Sequence, residues 1–200
     1  TLNLDERLLE AILTAKTRAI VPVHYAGVGC DMDVICKRGV DRGSPIGEDN
    51  AHGLFGSYRG RKLGSFGAFS TLSFHETKNI NCGEGGMLAI NDERFRERAE
   101  IIWEKGTNRA AFYRGEIDKY GWVDIGSSFL PSELNAAFLW AQLERLDEVQ
   151  ATRNALWQRY LDRLGFLRAA GIPLPDVPEY AEANQHIFYL LCHSIEERDR

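Results

Sequence analysis

One lysine of this chain stands between an apolar run and a glycine-rich turn. The apolar run covers residues 67–74, Lys78 lies four residues beyond its end, and glycines fill most of the turn at 83–86. A lysine becomes a nucleophile when its surroundings lower its pKa, and a partly desolvated loop between two buried strands can do this. Most single lysines are solvated surface charges instead. Lys78 is therefore a candidate catalytic residue that needs support from its neighbours.

A second candidate lies at the end of an earlier short strand. Residues 44–53 predict a brief strand that ends in acidic and polar residues, with Asp49 near its carboxyl end. An aspartate at that position can face the pyridinium nitrogen of a cofactor such as pyridoxal phosphate (PLP), where it keeps the ring an electron sink. The spacing is equally consistent with an Asp49 that only caps the next turn.

Three motifs together resemble the DegT/DnrJ/StrS family of PLP-dependent sugar aminotransferases. These motifs are EDNAH at 48–52, SFHETKN at 73–79 and GEGG at 83–86. The resemblance covers nearly the whole chain. It is strongest to the members that aminate dTDP-4-keto-6-deoxyglucose, which give dTDP-4-amino-4,6-dideoxygalactose for cell-surface polysaccharides such as lipopolysaccharide and enterobacterial common antigen. The segments that narrow it are 1–6, 20–27, 105–109 and 124–133.

The resemblance implies roles for four residues. Lys78 would attach PLP covalently and move a proton between the cofactor and C4 of the sugar. Asp49 would pair with the pyridinium nitrogen, and His52 would lie near the ring and its 3′ oxygen. Ser73 would bind the cofactor phosphate. L-Glutamate would donate the amino group to a dTDP-linked keto sugar, and the working protein would be a homodimer.

Five further residues are candidates for contacts with the cofactor or the substrate. Many family members carry an asparagine that reaches the phosphate across a dimer interface, where this chain has GSSFL at 126–130. Ser128 could supply a hydroxyl there, or it could cap a helix that begins near residue 131. His75 and Glu76 could contact the substrate or simply pin the loop. His24 and Tyr25, at a similar strand end, are candidate sugar contacts.

Strands that alternate with helices predict an α/β protein. The resemblance implies the PLP-dependent aspartate-aminotransferase-like fold (type I), with a mostly parallel sheet flanked by helices. Strands are predicted at 18–25, 67–74 and 87–90, and helices at 4–15, 93–103, 133–146 and 147–164. Glycines and prolines at 165–178 indicate a linker, followed by a predicted strand at 186–192. We therefore divide the chain into residues 1–164, part of the PLP-binding large domain and its connecting helices, and 165–200, the start of a smaller C-terminal domain.

Composition excludes several classes of protein. With 24 basic and 29 acidic residues the net charge is −5, which argues against nucleic acid and anionic membranes as partners. No apolar run reaches transmembrane length and no signal peptide is recognisable. The four cysteines and the histidines lack metal-site spacing, so we predict no metal, reduced thiols and a cytoplasmic protein. Cys82 is predicted to be a packing residue, and His186 and His193 are predicted to be structural histidines.

Three functions stay open. The first is a sugar aminotransferase, for dTDP-4-keto-6-deoxyglucose or for another nucleotide-linked 3- or 4-keto sugar. The second is a PLP-dependent sugar dehydratase, against which Lys78 argues because the related dehydratases have histidine at this position. The third is a noncatalytic PLP-binding protein. The chain lacks an initiator methionine and ends in charged residues, so we expect a fragment without the N-terminal phosphate-binding helix and the aromatic residue that stacks on the ring.

Overall fold

The computed structural model describes residues 1–199 and places six short strands there in two sheets. The strands are β1 (Gly47–Asp49), β2 (Ser57–Tyr58), β3 (Arg61–Lys62), β4 (Phe69–Ser73), β5 (Gly86–Ile90) and β6 (Ala181–Glu182). One sheet has the order β1–β4–β5 and holds the candidate site. The other sheet, β3–β2–β6, is small and antiparallel.

The sheet of the candidate site continues beyond β1. Ile20 and Val23 form isolated parallel bridges to Ile46 and Asp49 in one register, and Pro22 between them has no N–H to donate. The predicted strand at 18–25 is therefore only partly formed. β1 pairs parallel with β4, and β5 pairs antiparallel with β4, so two of these three pairings are parallel. This arrangement agrees with the mostly parallel sheet of the predicted fold.

Helices surround the sheets and fill the second half of the chain. They are α1 (Leu9–Ile12), α2 (Met32–Arg42), α3 (Arg96–Trp103), α4 (Arg109–Tyr113), α5 (Glu133–Leu143), α6 (Leu146–Leu164) and α7 (Ile195–Arg198). The long helices α5 and α6 match the predictions closely. The predicted helices at 4–15 and 93–103 each begin instead with a 3-10 turn, Glu6–Leu8 and Glu93–Phe95. No helix of residues 1–199 has the length and apolar character needed to cross a bilayer.

The structure excludes one of the two alternatives for Ser128 and differs from one predicted strand. The cap of α5 is Ser132, whose side chain accepts a hydrogen bond from the Asn135 N–H, so Ser128 is not the cap. The predicted strand at 186–192 is not formed among the described residues. The backbone of this segment forms hydrogen bonds with groups outside a sheet: the Ile187 carbonyl accepts a hydrogen bond from Trp157 Nε1 at 3.3 Å.

Two apolar clusters support the site sheet. The larger one lies between α1, α2 and β1 and consists of Leu9, Ile20, Cys30, Met32, Ile35, Ile46, Tyr58 and Leu63. The smaller one consists of Phe74, Ile80 and Cys82, and side chains of α5 and α6 pack against it. Phe74 and Ile80 lie on either side of Lys78 in the sequence, so their burial fixes the loop that carries the lysine. Cys82 is a buried free thiol in this cluster, as predicted for a packing residue.

Candidate active site

Lys78 lies in the loop that joins β4 to β5, at the carboxyl end of β4. Backbone hydrogen bonds close this loop: the Phe74 N–H donates to the Gly85 carbonyl at 2.8 Å, and the Lys78 N–H donates to the His75 carbonyl at 2.9 Å. The side chain is half-buried. Within residues 1–199 its ammonium group has no hydrogen-bond or ion-pair partner. Burial lowers the pKa of Lys78, and the charge of Asp49 offsets part of this effect.

Asp49 reaches the same edge of the sheet from β1. Its Oδ1 accepts a hydrogen bond from the Ala51 N–H at 3.1 Å, so the aspartate does cap the turn that follows. Its charge also acts on Lys78, although no ion pair within 4.0 Å joins the two among the described residues. The two alternatives for Asp49 are therefore compatible. The two groups are near enough for their charges to interact, yet a gap of more than 4.0 Å separates the ammonium from the carboxylate.

His52 lies in the turn after β1, beside this gap. Its Nδ1 accepts a hydrogen bond from the Ala26 N–H at 3.3 Å, so Nε2 carries the ring proton. Burial lowers the pKa of His52, and the positive charge of Lys78 lowers it further. The ring meets Tyr25 edge-on with centroids 5.3 Å apart. His52 is therefore a neutral imidazole with an N–H to donate, and Tyr25 lines it.

His24 does not contact this site, and its prediction as a sugar contact is wrong. The side chain is fully buried, with 0% of its surface exposed. Its Nδ1 accepts from the Cys30 N–H at 3.2 Å, and its Nε2 lies 3.0 Å from Glu48 Oε2. Both ring nitrogens are occupied inside the protein, so no ligand can reach them.

Glu48 is the buried partner of His24 and was not among the predicted site residues. Backbone N–H groups of Gly64, Phe66 and Gly67 donate to its carboxylate at 2.6–2.7 Å. Burial favours the protonated acid, yet the hydrogen bonds from His24 and the backbone outweigh it and hold the pKa of Glu48 below its ordinary value. Glu48 thus fixes the segment 64–67 against β1, immediately before Asp49.

The three other predicted residues of the loop differ in their surroundings. Ser73 is half-buried and its Oγ accepts from the His75 N–H at 3.3 Å, which leaves its own O–H free to donate. His75 Nδ1 lies 3.0 Å from the Thr77 hydroxyl, a contact that supports the loop-pinning alternative. Glu76 is exposed. Phosphate binding by Ser73 and substrate contact by Glu76 stay predictions.

Ser128 stands apart from the other candidates. It is exposed, and its backbone forms an isolated antiparallel bridge with Glu104. Within residues 1–199 no hydrogen bond joins it to Lys78, Asp49 or His52. Its predicted contact with the cofactor phosphate of a partner subunit stays a prediction.

A cluster from the end of the chain reaches the site and was missed in the sequence. His186 Nδ1 lies 2.7 Å from Asn79 Oδ1, next to Lys78, and its ring lies 4.4 Å from that of His52. Asn184 Nδ2 donates to the carbonyls of His52 and Leu54 at 2.5 and 2.7 Å. Asn79 of the SFHETKN motif was the one local indication of this cluster, because an asparagine beside a half-buried lysine needs hydrogen-bond partners of its own.

Gly27 provides a test of the Asn184 contact. A Cβ added at Gly27 would lie 1.6 Å from Asn184 Oδ1, and the backbone there has φ +82°. We expect Gly27→Ala to lower the free energy of unfolding by about 3 kcal/mol, from backbone strain and loss of the Asn184 hydrogen bonds. Gly43→Ala is the matched control, since Gly43 has φ +62° and nothing within 4 Å of the added atom. It should cost about 1 kcal/mol in urea unfolding. Equal losses in both variants would contradict the contact.

The chain is similar to known proteins over its whole length. The family model described as the DegT/DnrJ/EryC1/StrS aminotransferase family matches residues 1–200. The spore coat polysaccharide biosynthesis protein SpsC of Bacillus subtilis is 34% identical over 193 residues, which are 95% of this chain and 49% of SpsC. The chain thus spans about half the length of the curated relative that it matches.

Solved structures give the same picture. The aminotransferase from Psychrobacter cryohalolentis is 30% identical, with a TM-score of 0.82 over 92% of this chain and 49% of that one. A Streptococcus pneumoniae protein assigned as a sugar aminotransferase, in its PMP-form, is 27% identical with a TM-score of 0.85, over 100% of this chain and 56% of that one. The same protein is also known in a PLP-form.

The described residues include suitable partners for two groups of a pyridoxal cofactor. PLP has an aldehyde carbon that bonds to a lysine and, across the ring, a nitrogen that stays protonated beside a carboxylate. Lys78 and Asp49 supply these two groups at one edge of the sheet, with no ion pair between them. Pyridoxal phosphate is the cofactor of the relatives, and the donor set here suits it. Because the family model matches the chain from end to end, the chain belongs to the DegT/DnrJ/EryC1/StrS aminotransferase family.

Proposed function

We propose that this chain carries the cofactor site of a PLP-dependent sugar aminotransferase. The enzyme would take the amino group of L-glutamate and transfer it to C4 of dTDP-4-keto-6-deoxyglucose, giving dTDP-4-amino-4,6-dideoxygalactose. The observation that carries the proposal is the half-buried Lys78 ammonium, which faces Asp49 without an ion pair. A lysine held in this way is available for chemistry.

Each residue has a definable task in this reaction. When bound, PLP supplies the electron sink that stabilises negative charge on the carbon attached to the amino nitrogen. Lys78, with its pKa lowered, accepts a proton from that carbon and delivers it to the cofactor carbon on the other side of the nitrogen. Asp49 holds the ring nitrogen protonated. His52, as a neutral imidazole, offers the Nε2 proton to an oxygen of the cofactor.

The choice of sugar rests on the segments at 105–109 and 124–133, which resemble the members that act on dTDP-4-keto-6-deoxyglucose. The second candidate is a different nucleotide-linked 3- or 4-keto sugar. It is supported by the variety among the relatives, since SpsC is named for spore coat polysaccharide and another relative, PseC of Helicobacter pylori, for pseudoaminic acid. Lys78 argues against a dehydratase, and the presence of both Lys78 and Asp49 argues against a protein that binds PLP without turnover.

We extend the proposal to a cytoplasmic homodimer that serves the synthesis of cell-surface polysaccharide. Large apolar side chains between α4 and α6 are exposed in this chain, in the same stretch as Ser128; they include Trp122, Ile125, Phe129, Leu134 and Trp140. Contact with a second copy would cover them and would bring Ser128 to the phosphate of the partner subunit's cofactor. Light scattering of the whole protein measures this state directly.

The test uses the whole protein with added PLP. We expect an absorbance band of Lys78-bound cofactor that L-glutamate bleaches, with release of 2-oxoglutarate. Addition of dTDP-4-keto-6-deoxyglucose should then restore the band and yield the 4-amino sugar. We expect its kcat/KM to exceed that of a UDP-linked 4-keto sugar or a dTDP-linked 3-keto sugar by about 100-fold. A band that glutamate leaves unchanged would exclude transamination from this donor, and equal rates would favour the second candidate.

A further inference from the structure

The structure assigns His186 a task that its sequence context does not indicate. We propose that His186 is a positioning residue of the cofactor site, which holds Asn79 through its Nδ1 proton and holds the ring of His52 by stacking. Lys78 and His52 would keep their places only while His186 is present. Of the two tests of this inference, the measurement of PLP binding rests on the proposed function.

The hydrogen bonds of Asn79 determine which nitrogen of His186 carries the proton. Asn79 Nδ2 donates to the Asn184 carbonyl at 3.1 Å, so Oδ1 is the oxygen that faces His186 at 2.7 Å. An amide oxygen only accepts, and His186 Nδ1 must therefore be the donor. The bond is partly buried, and Asn79 itself is only 7% exposed. Loss of this donor would leave a buried amide oxygen unpaired next to Lys78.

The ring of His186 also determines the place of His52. The two rings are tilted by 40°, with centroids 4.4 Å apart, while Tyr25 meets His52 edge-on. His52 thus lies between two aromatic side chains. Its backbone is fixed as well, since its carbonyl accepts a hydrogen bond from Asn184 Nδ2.

The segment 184–186 is itself anchored, so that His186 can act as a fixed point. Gln150 Nε2 of α6 donates to the Asn184 carbonyl at 2.8 Å, and the His186 N–H donates to Asn184 Oδ1 at 3.0 Å. His186 stays neutral, because burial lowers its pKa to about 4, and His52, Lys78 and Arg153 oppose a further positive charge there. A neutral His186 keeps the single Nδ1 proton that Asn79 needs.

Three variants distinguish a His186 that only fills space from one that positions Lys78. His186→Phe keeps a ring against His52 and removes the donor to Asn79. His186→Asn keeps an N–H at the place of Nδ1 and removes the ring. Asn79→Ala removes the acceptor and leaves the histidine. His193→Phe is the matched control, because His193 is exposed and pairs only with Glu197 among the described residues.

Two measurements on the whole protein decide between these roles. The first is the dissociation constant of PLP from quenching of tryptophan fluorescence. The second is the pH dependence of acetylation of Lys78 by acetic anhydride in the cofactor-free protein, followed by mass spectrometry. We expect His186→Phe and Asn79→Ala to weaken PLP binding about tenfold and to move the labelling midpoint of Lys78 to higher pH, because a displaced ammonium is better solvated.

The conservative variant and the control complete the test. His186→Asn should recover the wild-type labelling midpoint, and His193→Phe should match the wild type in both measurements. Unchanged PLP binding and an unchanged labelling midpoint in His186→Phe would overturn the inference. If His186→Phe does not fold, the same result in Asn79→Ala would overturn it. A wild-type protein that binds no PLP would contradict the proposed function, and the labelling of Lys78 would still test His186.

Discussion

Replacement of Lys78 by arginine is expected to lower the rate of amino transfer by about 10⁴-fold, the upper end of what a positioned acid and base contributes. Arginine keeps the positive charge opposite Asp49 and much of the side-chain volume, so the fold should survive. Its guanidinium does not lose a proton near neutral pH, so it can neither bond to a carbonyl carbon nor relay a proton. The variant separates charge from chemistry at this one position.

The control for Lys78→Arg is Lys62→Arg, at an exposed lysine of β3 outside the site. It should change the rate by no more than about twofold. Both variants should unfold at the wild-type urea concentration. Release of 2-oxoglutarate from L-glutamate by Lys78→Arg at the wild-type rate would show that another group does the proton transfer.

Replacement of Glu48 by alanine is expected to destabilise the protein by about 3–5 kcal/mol, the cost of breaking a buried, hydrogen-bonded pair. The carboxylate is 1% exposed and accepts from His24 and from three backbone N–H groups. Its removal leaves all four donors without a partner in the core. The segment 64–67 would then separate from β1, and Asp49 would lose its support. Urea unfolding followed by fluorescence measures the loss.

The effect of pH provides a second measurement on Glu48. Its pKa is lower in the folded than in the unfolded protein, so its contribution is complete above the unfolded value of about 4.5 and is lost as the pH falls through the folded value. The wild type should therefore lose stability more steeply below pH 4.5 than Glu48→Ala. Glu97→Ala, at an exposed carboxylate of α3, should keep the wild-type pH dependence. Parallel curves for the wild type and Glu48→Ala would contradict this assignment.

The central pair of the site could be predicted from the sequence. Lys78 follows a short apolar run and Asp49 lies near the end of a predicted brief strand, and the carboxyl ends of neighbouring parallel strands meet at one edge of a sheet. The structure pairs β1 with β4 in this way. Because strand direction alone brings these two residues together, local patterns were sufficient.

The rest of the site depends on contacts that local patterns do not contain. Asn79 and Asn184 are 105 residues apart, and no periodicity in the sequence indicates that the Asn79 side chain meets the Asn184 carbonyl. His24 was assigned to the surface of the site because it ends a strand, as Asp49 does. It is buried instead, since the carboxylate of Glu48 lies within the core and accepts a hydrogen bond from the His24 ring. A histidine without a visible partner in the sequence cannot be assigned to core or surface by spacing.

The contacts of Asn184 have a consequence for the order of events during synthesis on the ribosome. When residue 90 has left the exit tunnel, the strands of the site sheet, Lys78 and Asp49 are all present in the nascent chain. The residues that complete their surroundings follow only after α5 and α6, roughly ten seconds later at common elongation rates. Until then the His52 turn lacks the two hydrogen bonds from Asn184. The surroundings of Lys78 are therefore completed late in synthesis, well after Lys78 itself has left the tunnel.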